Sequence, residues 1–175
     1  MNEARSIRIR EERPEDIDAI RALNLAAFGQ VEEGRIVDAL RAKGGVLLSL
    51  VATMGERVIG HALYSPVSID SEEATLQGAG LGPIAVLPEF QRRGVGARLI
   101  TFGIERLKER GIPFIVVVGH PEYYPRFGFR PASGLGIRSE WELPDDVFMV
   151  LPLDESKMKG VSGLATYRPE FSDAS

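Results

Sequence analysis

A chain of 175 residues predicts one compact domain at roughly 150 residues per domain. Its 44% hydrophobic and 26% charged residues exclude intrinsic disorder, and 21 Lys and Arg against 25 Asp and Glu give a net charge of -4, too acidic for nucleic-acid binding through the overall field. The absence of cysteine excludes a disulfide framework, a thiolate metal site and a cysteine nucleophile.

Residues 1–5 run into the charged stretch Arg8 to Glu15 without an apolar core of signal-peptide length, and no later window approaches a membrane span. A cytoplasmic protein with no membrane partner is therefore expected. Ile7 to Arg10 alternates apolar and basic residues as a half-buried strand does. Pro14, Glu15 and Asp16 suit the first turn of a helix, which Ile17, Ile20, Leu23, Ala27 and Phe28 carry to Gly29. A second helix follows from Glu32 or Glu33 to Lys43, stopped by Gly44-Gly45. Val46 to Thr53 and Arg57 to Tyr64 read as a hairpin across Met54-Gly55-Glu56, with Pro66 interrupting the second strand before it resumes at Val67 to Ile69.

Thr75 to Val86 is an apolar strand whose glycines at 78, 80 and 82 suggest bulging or the close approach of another backbone. A long helix from about Arg93 to Arg110 turns Val95, Leu99 and Phe102 inward. Gly111-Ile112-Pro113 stops it, and Phe114 to Val118 is a strand covered on both faces. Together these make a βαβ unit with a right-handed crossover and a ligand site at the carboxyl ends of its strands. Glu122 to Phe127 forms a short helix or turn, and Phe148 to Leu153 a last strand. The core should span about 6–153, with a polar tail over 154–175 inside a single domain, 1–175.

The segment Gln91-Arg92-Arg93-Gly94-Val95-Gly96-Ala97 lies where a strand turns into a helix. Unpaired N–H groups and the helix dipole converge there, and glycines remove the side chains that would hold a phosphate off the backbone. A diphosphate cradle is one reading; glycines that merely permit tight helix-to-strand packing are the other. The segment is neither a P-loop nor a dinucleotide fingerprint.

The run Ile84-Ala85-Val86-Leu87-Pro88-Glu89-Phe90-Gln91-Arg92-Arg93-Gly94-Val95-Gly96-Ala97 resembles the acetyl-CoA signature of the GNAT superfamily of N-acetyltransferases, [QR]-x-x-G-x-[GA]. Tyr124-Pro125-Arg126-Phe127-Gly128-Phe129 is similar to that family's Tyr-x-x-x-Gly-Phe. The resemblance implies a GNAT-like α/β fold, a mixed central sheet flanked by helices. It also implies an enzyme that moves an acetyl group from acetyl-CoA to a primary amine in a ternary complex. Ile84, Ala85 and Val86 would offer backbone hydrogen bonds to the pantetheine arm and acetyl carbonyl. Gln91, Arg92, Arg93, Gly94, Val95, Gly96 and Ala97 would hold the pyrophosphate, and the strand of Val86 would splay from that of Val118 around the cofactor. Tyr124 would protonate the departing thiolate, as a neutral phenol can; the other reading is an aromatic packed on cofactor or core.

The general base is not legible, because Leu76 to Val86 contains no carboxylate. His120 is a candidate, since imidazole titrates near neutrality, although capping the turn at Pro121 is the preferred role. His61 reads as a packed or surface strand residue, and no metal motif is present. Trp141 is assigned to packing. The acceptor is a small molecule or peptide bearing an amine, otherwise unspecified, and exposed edge strands allow a homodimer. The rival function is a non-catalytic acyl-CoA-binding or sensing domain.

Overall fold

The structure is a computed structural model that describes residues 6–173; Met1–Arg5, on which part of the leader expectation rests, lie outside them. Among the described residues nine strands form one mixed sheet: β1 (Ile7–Glu11), β2 (Leu48–Met54), β3 (Arg57–Asp70), β4 (Thr75–Val86), β5 (Phe114–Val118), β6 (Arg130–Pro131), β7 (Ile137–Ser139), β8 (Phe148–Pro152) and β9 (Gly163–Thr166). Helices flank it: α1 (Ile17–Phe28), α2 (Glu32–Ala42), α3 (Val95–Glu109), α4 (Glu155–Met158) and α5 (Glu170–Asp173). The strand order is β1-β2-β3-β4-β5-β8-β6, and β9 pairs with both β3 and β7. This is the expected α/β class, and β4 pairs parallel with β5 across the α3 crossover as the βαβ reading requires. No described helix is long and apolar enough to cross a membrane.

Backbone contacts divide the chain into two compact units. The first holds the described residues through Tyr64, together with Pro83–Gly103 and the segment from Pro169. Its core joins Ile20 of α1, Val37 and Leu40 of α2, Val51 of β2 and Leu63 of β3, with Phe171 packed against them. The helical periodicities of α1 and α2 supply those residues from one face each. Gly29 ends α1 in a left-handed conformation (φ 71°), and its N–H donates to Leu25 O at 2.8 Å. On the other face of β3, Gly60 lets α3 approach, since a Cβ there would meet Val95 at 3.0 Å and Leu99 at 3.1 Å. Asp16 fastens the start of α1. It accepts two hydrogen bonds from Arg10 and one from the Arg13 N–H, and the Arg10 contact holds its carboxyl below the usual carboxylate range.

A polar chain crosses the same unit. Asp18 and Asp38 pair with Arg21, Asp38 and Glu12 pair with Arg41, and Glu12 accepts the Ser49 hydroxyl at 3.0 Å. Ser49 Oγ lies 2.8 Å from His61 Nε2. Because the serine proton is committed to Glu12, His61 donates from Nε2, and its buried Nδ1 has no hydrogen-bond partner among the described residues. Burial pushes the imidazole down from 6.5 to about 4, with Glu12 opposing that shift and Arg41 assisting it. The folded pKa is below the unfolded one, so the unfolded chain takes up the proton first. Stability is whole above about pH 6.5 and is lost as pH falls towards 4, by about 3 kcal/mol from this group. Urea midpoints should therefore drop across that window in the wild type. The slope should flatten in His61→Gln, whose amide keeps the donor to Ser49 without titrating; an unchanged slope would locate the acid sensitivity elsewhere.

The second unit comprises Ser65–Gly82 and Ile104–Arg168. Here β5 is the central strand, paired with β4 at Ala79–Leu81 and antiparallel with β8 along its whole length. Four of its five residues are buried, as an uninterrupted apolar run requires.

Three expectations are corrected. Pro66 does not interrupt β3, which continues from Arg57 to Asp70. The β2 ladder ends at Tyr64 and the β9 ladder begins at Ser68, so the proline falls between two partners, where a missing N–H costs no ladder bond on that edge. Gly78 and Gly80 admit side chains rather than another backbone, the Phe114 ring at one and Val67 with Tyr167 at the other. The expected polar tail over 154–175 is, in its described part 154–173, not simply a tail beyond the core. β9 completes two ladders, Ala165 and Tyr167 are buried, and Phe171 packs into the first unit's core.

Candidate functional site

In the first unit the end of β4 leads through Leu87 and a 3-10 turn at Pro88–Phe90 into the loop that starts α3. The Leu87 N–H donates to Ile59 O at 2.9 Å, tying the exit of β4 to β3. The Gln91 side-chain amide reaches back to Val86 O at 3.0 Å. Gln91 thus braces the loop against the strand it leaves, a role its motif position alone did not disclose. The contact occupies the carbonyl of Val86, one of the expected pantetheine partners, and leaves its N–H outside the brace. Ala85 is buried while Ile84 and Val86 are half-buried, the alternation of a strand with one accessible face.

Arg92 adopts φ 62°, the single non-glycine residue with positive φ among those described, and Gly94 follows at 79°. Left-handed backbone at a non-glycine residue costs on the order of 1–2 kcal/mol, so the turn is held by its surroundings. A Cβ at Gly94 would meet nothing within 4 Å, so the space in front of this backbone is open. The first α-helical bond is donated by the Arg98 N–H to Gly94 O at 3.1 Å. The N–H groups of Val95, Gly96 and Ala97 therefore precede the helical ladder and form the positive end of α3. Open backbone, first-turn donors and a helix dipole are what a diphosphate needs. The two arginines differ: Arg93 stacks on Phe90 at 5.7 Å, a ring that Arg57 also faces at 5.5 Å, whereas Arg92 is exposed on the left-handed turn.

A separate depression of about 790 Å³ in this unit is lined by Ala19, Ala22 and Ala26 of α1, with Arg57 and Leu87 among its other walls. None of the residues Gln91 to Ala97 lines it, and its Arg10 and Asp16 are paired with each other.

In the second unit β5 delivers Gly119 and His120 to a tight turn. The His120 carbonyl accepts from the Tyr123 and Tyr124 N–H groups at 3.1 and 3.4 Å, and a 3-10 turn over Tyr124–Phe127 closes on Gly128 at φ 98°. The His120 side chain is exposed. The rings of the adjacent tyrosines meet edge-to-face, their planes at 84°. Tyr124 is buried, edge-on to Tyr123 at 5.2 Å and to Phe129 at 5.7 Å. Tyr123 is half-buried under Arg126, whose guanidinium lies 4.4 Å above its ring. Burial, then the neighbouring Tyr123, pushes the Tyr124 phenol up to about 12, so it is a neutral donor at pH 7.

Trp141 is half-buried, with its ring 4.7 Å from that of Tyr167. No group of three or more metal-ligating side chains occurs among the described residues.

The profile of the Acetyltransferase (GNAT) domain matches residues 8–132. The uncharacterized N-acetyltransferase YhbS of Escherichia coli K12 is 36% identical over 165 residues, 94% of this chain and 98% of that protein. A crystal structure of YhbS from Escherichia coli in complex with CoA superposes at a TM-score of 0.91 with 35% identity, covering 98% of this chain and 95% of that one. A GNAT family acetyltransferase from Brucella melitensis, crystallised with acetyl-CoA, superposes at 0.78 with 36% identity, covering 95% and 98%.

Proposed function

The chain belongs to the GNAT acetyltransferase family, and from that premise we propose that it moves an acetyl group from acetyl-CoA to a primary amine by direct attack in a ternary complex. The observation that carries the reading is the start of α3, where open left-handed backbone at Gly94 precedes three N–H groups outside the helical ladder. In this proposal Gln91 to Ala97 hold the diphosphate, and Ile84 to Val86 offer backbone groups to the pantetheine arm and the thioester carbonyl. The amine nitrogen attacks that carbonyl, the C–S bond breaks, the thiolate takes its proton from Tyr124, and the proton that the amine nitrogen sheds restores the neutral phenol. The whole chain acts as one catalytic domain, and its chemistry is mainly positioning and electrostatic stabilisation. The rival reading, an acyl-CoA-binding module without turnover, is disfavoured by a tyrosine kept neutral at the motif position that calls for a donor.

A panel of polyamines, aminoglycosides, amino acids and lysine peptides incubated with acetyl-CoA, with free CoA thiol as the readout, tests the activity and the acceptor class together. Thiol release with at least one amine is expected; a CoA-dependent rise in Tm without release from any would favour the binding module. We further propose that His120 caps the turn through its carbonyl and is not the base. With an active amine, His120→Asn should keep the pH profile of kcat/KM, and loss of an inflection near neutrality would reverse that assignment.

A further inference from the structure

We propose that Gly119 is a positioning residue for the Tyr124 hydroxyl; the inference rests on the reading of Tyr124 as proton donor. Gly119 directly follows β5, and its N–H donates to Val147 O at 3.0 Å, which fixes its place at the strand end. Its φ lies outside the left-handed region, so the backbone there does not call for glycine. The requirement is steric. A Cβ at this position would fall 3.0 Å from Cδ2 and 3.2 Å from Cζ of Tyr124, and nearer still to Cε2. The Cε2 edge of the ring abuts bare backbone.

That ring has little freedom to yield. Tyr123 and Phe129 meet it edge-on, and the turn that carries it is pinned by the bonds to His120 O and by the Gly128 N–H on Pro125 O at 3.0 Å. A methyl at 119 must therefore swing the phenol or lift the turn. The hydroxyl stands at the far end of the ring, so a shift enforced at its edge is enlarged at the oxygen. A proton donor works only within hydrogen-bond reach of its acceptor, about 2.6–3.2 Å. Displacement of this size slows the chemical step without touching the groups proposed to hold the diphosphate.

A double-mutant cycle tests this. Gly119→Ala alone should lower kcat by about 10- to 100-fold with acetyl-CoA affinity little changed. In a Tyr124→Phe background, which has no hydroxyl to misplace, the same substitution should cost less than about twofold, because residues acting as one unit are non-additive. An equal loss in both backgrounds, or full activity of Gly119→Ala, overturns the positioning role while leaving the donor reading intact. Full activity of Tyr124→Phe overturns both. Stability gives an independent arm that works even if Gly119→Ala alone fails to fold. The methyl should cost far less Tm in a Tyr124→Leu background, where the obstructing ring is gone, and an equal cost there would refute the steric basis.

Discussion

Replacing Tyr124 with phenylalanine should lower kcat by on the order of 100-fold, near the bottom of the usual range for general-acid assistance, while acetyl-CoA still binds. The substitution keeps the ring against Gly119, Tyr123 and Phe129 and removes only the hydroxyl. The modest end of the range follows from acidity. A phenol pushed up to about 12 is a weaker acid than a typical thiol near 8.5, so transfer even to the fully formed thiolate is uphill unless the proton shed by the amine replaces the one given up. In the proposed role most of the gain comes from a hydrogen bond that strengthens as charge develops on sulfur, ahead of the proton's passage. The same elevation means that Tyr124 stays protonated throughout pH 6 to 10, so no alkaline limb in that range should come from it. Tyr123→Phe is the internal control. That ring is held under Arg126 at 4.4 Å and only meets the Tyr124 ring edge-to-face, and turnover should change little. Steady-state kinetics on the two single variants separate the roles, and equal activity of Tyr124→Phe and wild type would leave this tyrosine as a packing residue.

Gly96→Val should abolish most of the stabilisation that CoA confers on the folded protein. In the wild type, ligand at 100 times its Kd is worth about 2.7 kcal/mol, a readily measured rise in Tm. Gly96 lies in the first turn of α3, ahead of the first helical donor Arg98, and a branched side chain there should crowd the backbone proposed to hold the diphosphate. The unliganded fold should survive, because Val95 and Leu99 make the inward contacts with Gly60 and valine is no worse than glycine within a helix. An undiminished CoA-dependent shift in the variant would remove the diphosphate assignment from this turn.

Much of this architecture was legible from the sequence because the relevant signals are local. Thr75–Val86 and Phe114–Val118 show their strand limits through apolar runs bounded by turn residues, and the loop before α3 announces itself by glycine spacing. What escaped depends on partners distant in the chain. Pro66 reads as a break until one knows that β3 changes neighbours there. Ala165 and Tyr167 do alternate with Leu164 and Thr166, yet four residues of strand amid polar sequence are too few to outweigh composition. At the site, the spacing to Gly128 and Phe129 points to Tyr124 as the motif tyrosine. The importance of Gly119 and the brace from Gln91 to Val86 were invisible, since neither a missing Cβ nor a side-chain amide shows what it faces.

The polar chain from Asp18 to His61 has a consequence for how this protein meets its solvent. Its outer link, Arg21 with Asp18, has side chains 53% and 96% exposed, whereas Arg41 and Glu12 are 22% and 16% exposed and His61 is sealed. The same sequence of bonds therefore passes from water-like to interior dielectric, and with each step inward the attraction between partners is stronger and less open to counterions. Added salt erodes the outer pairs and leaves the inner ones in place. Acid acts from the opposite end, through the histidine. Ionic strength and pH thus address different ends of one connected structure, and the arginine-41 fork, which joins α2 to Glu12, is where the two influences meet.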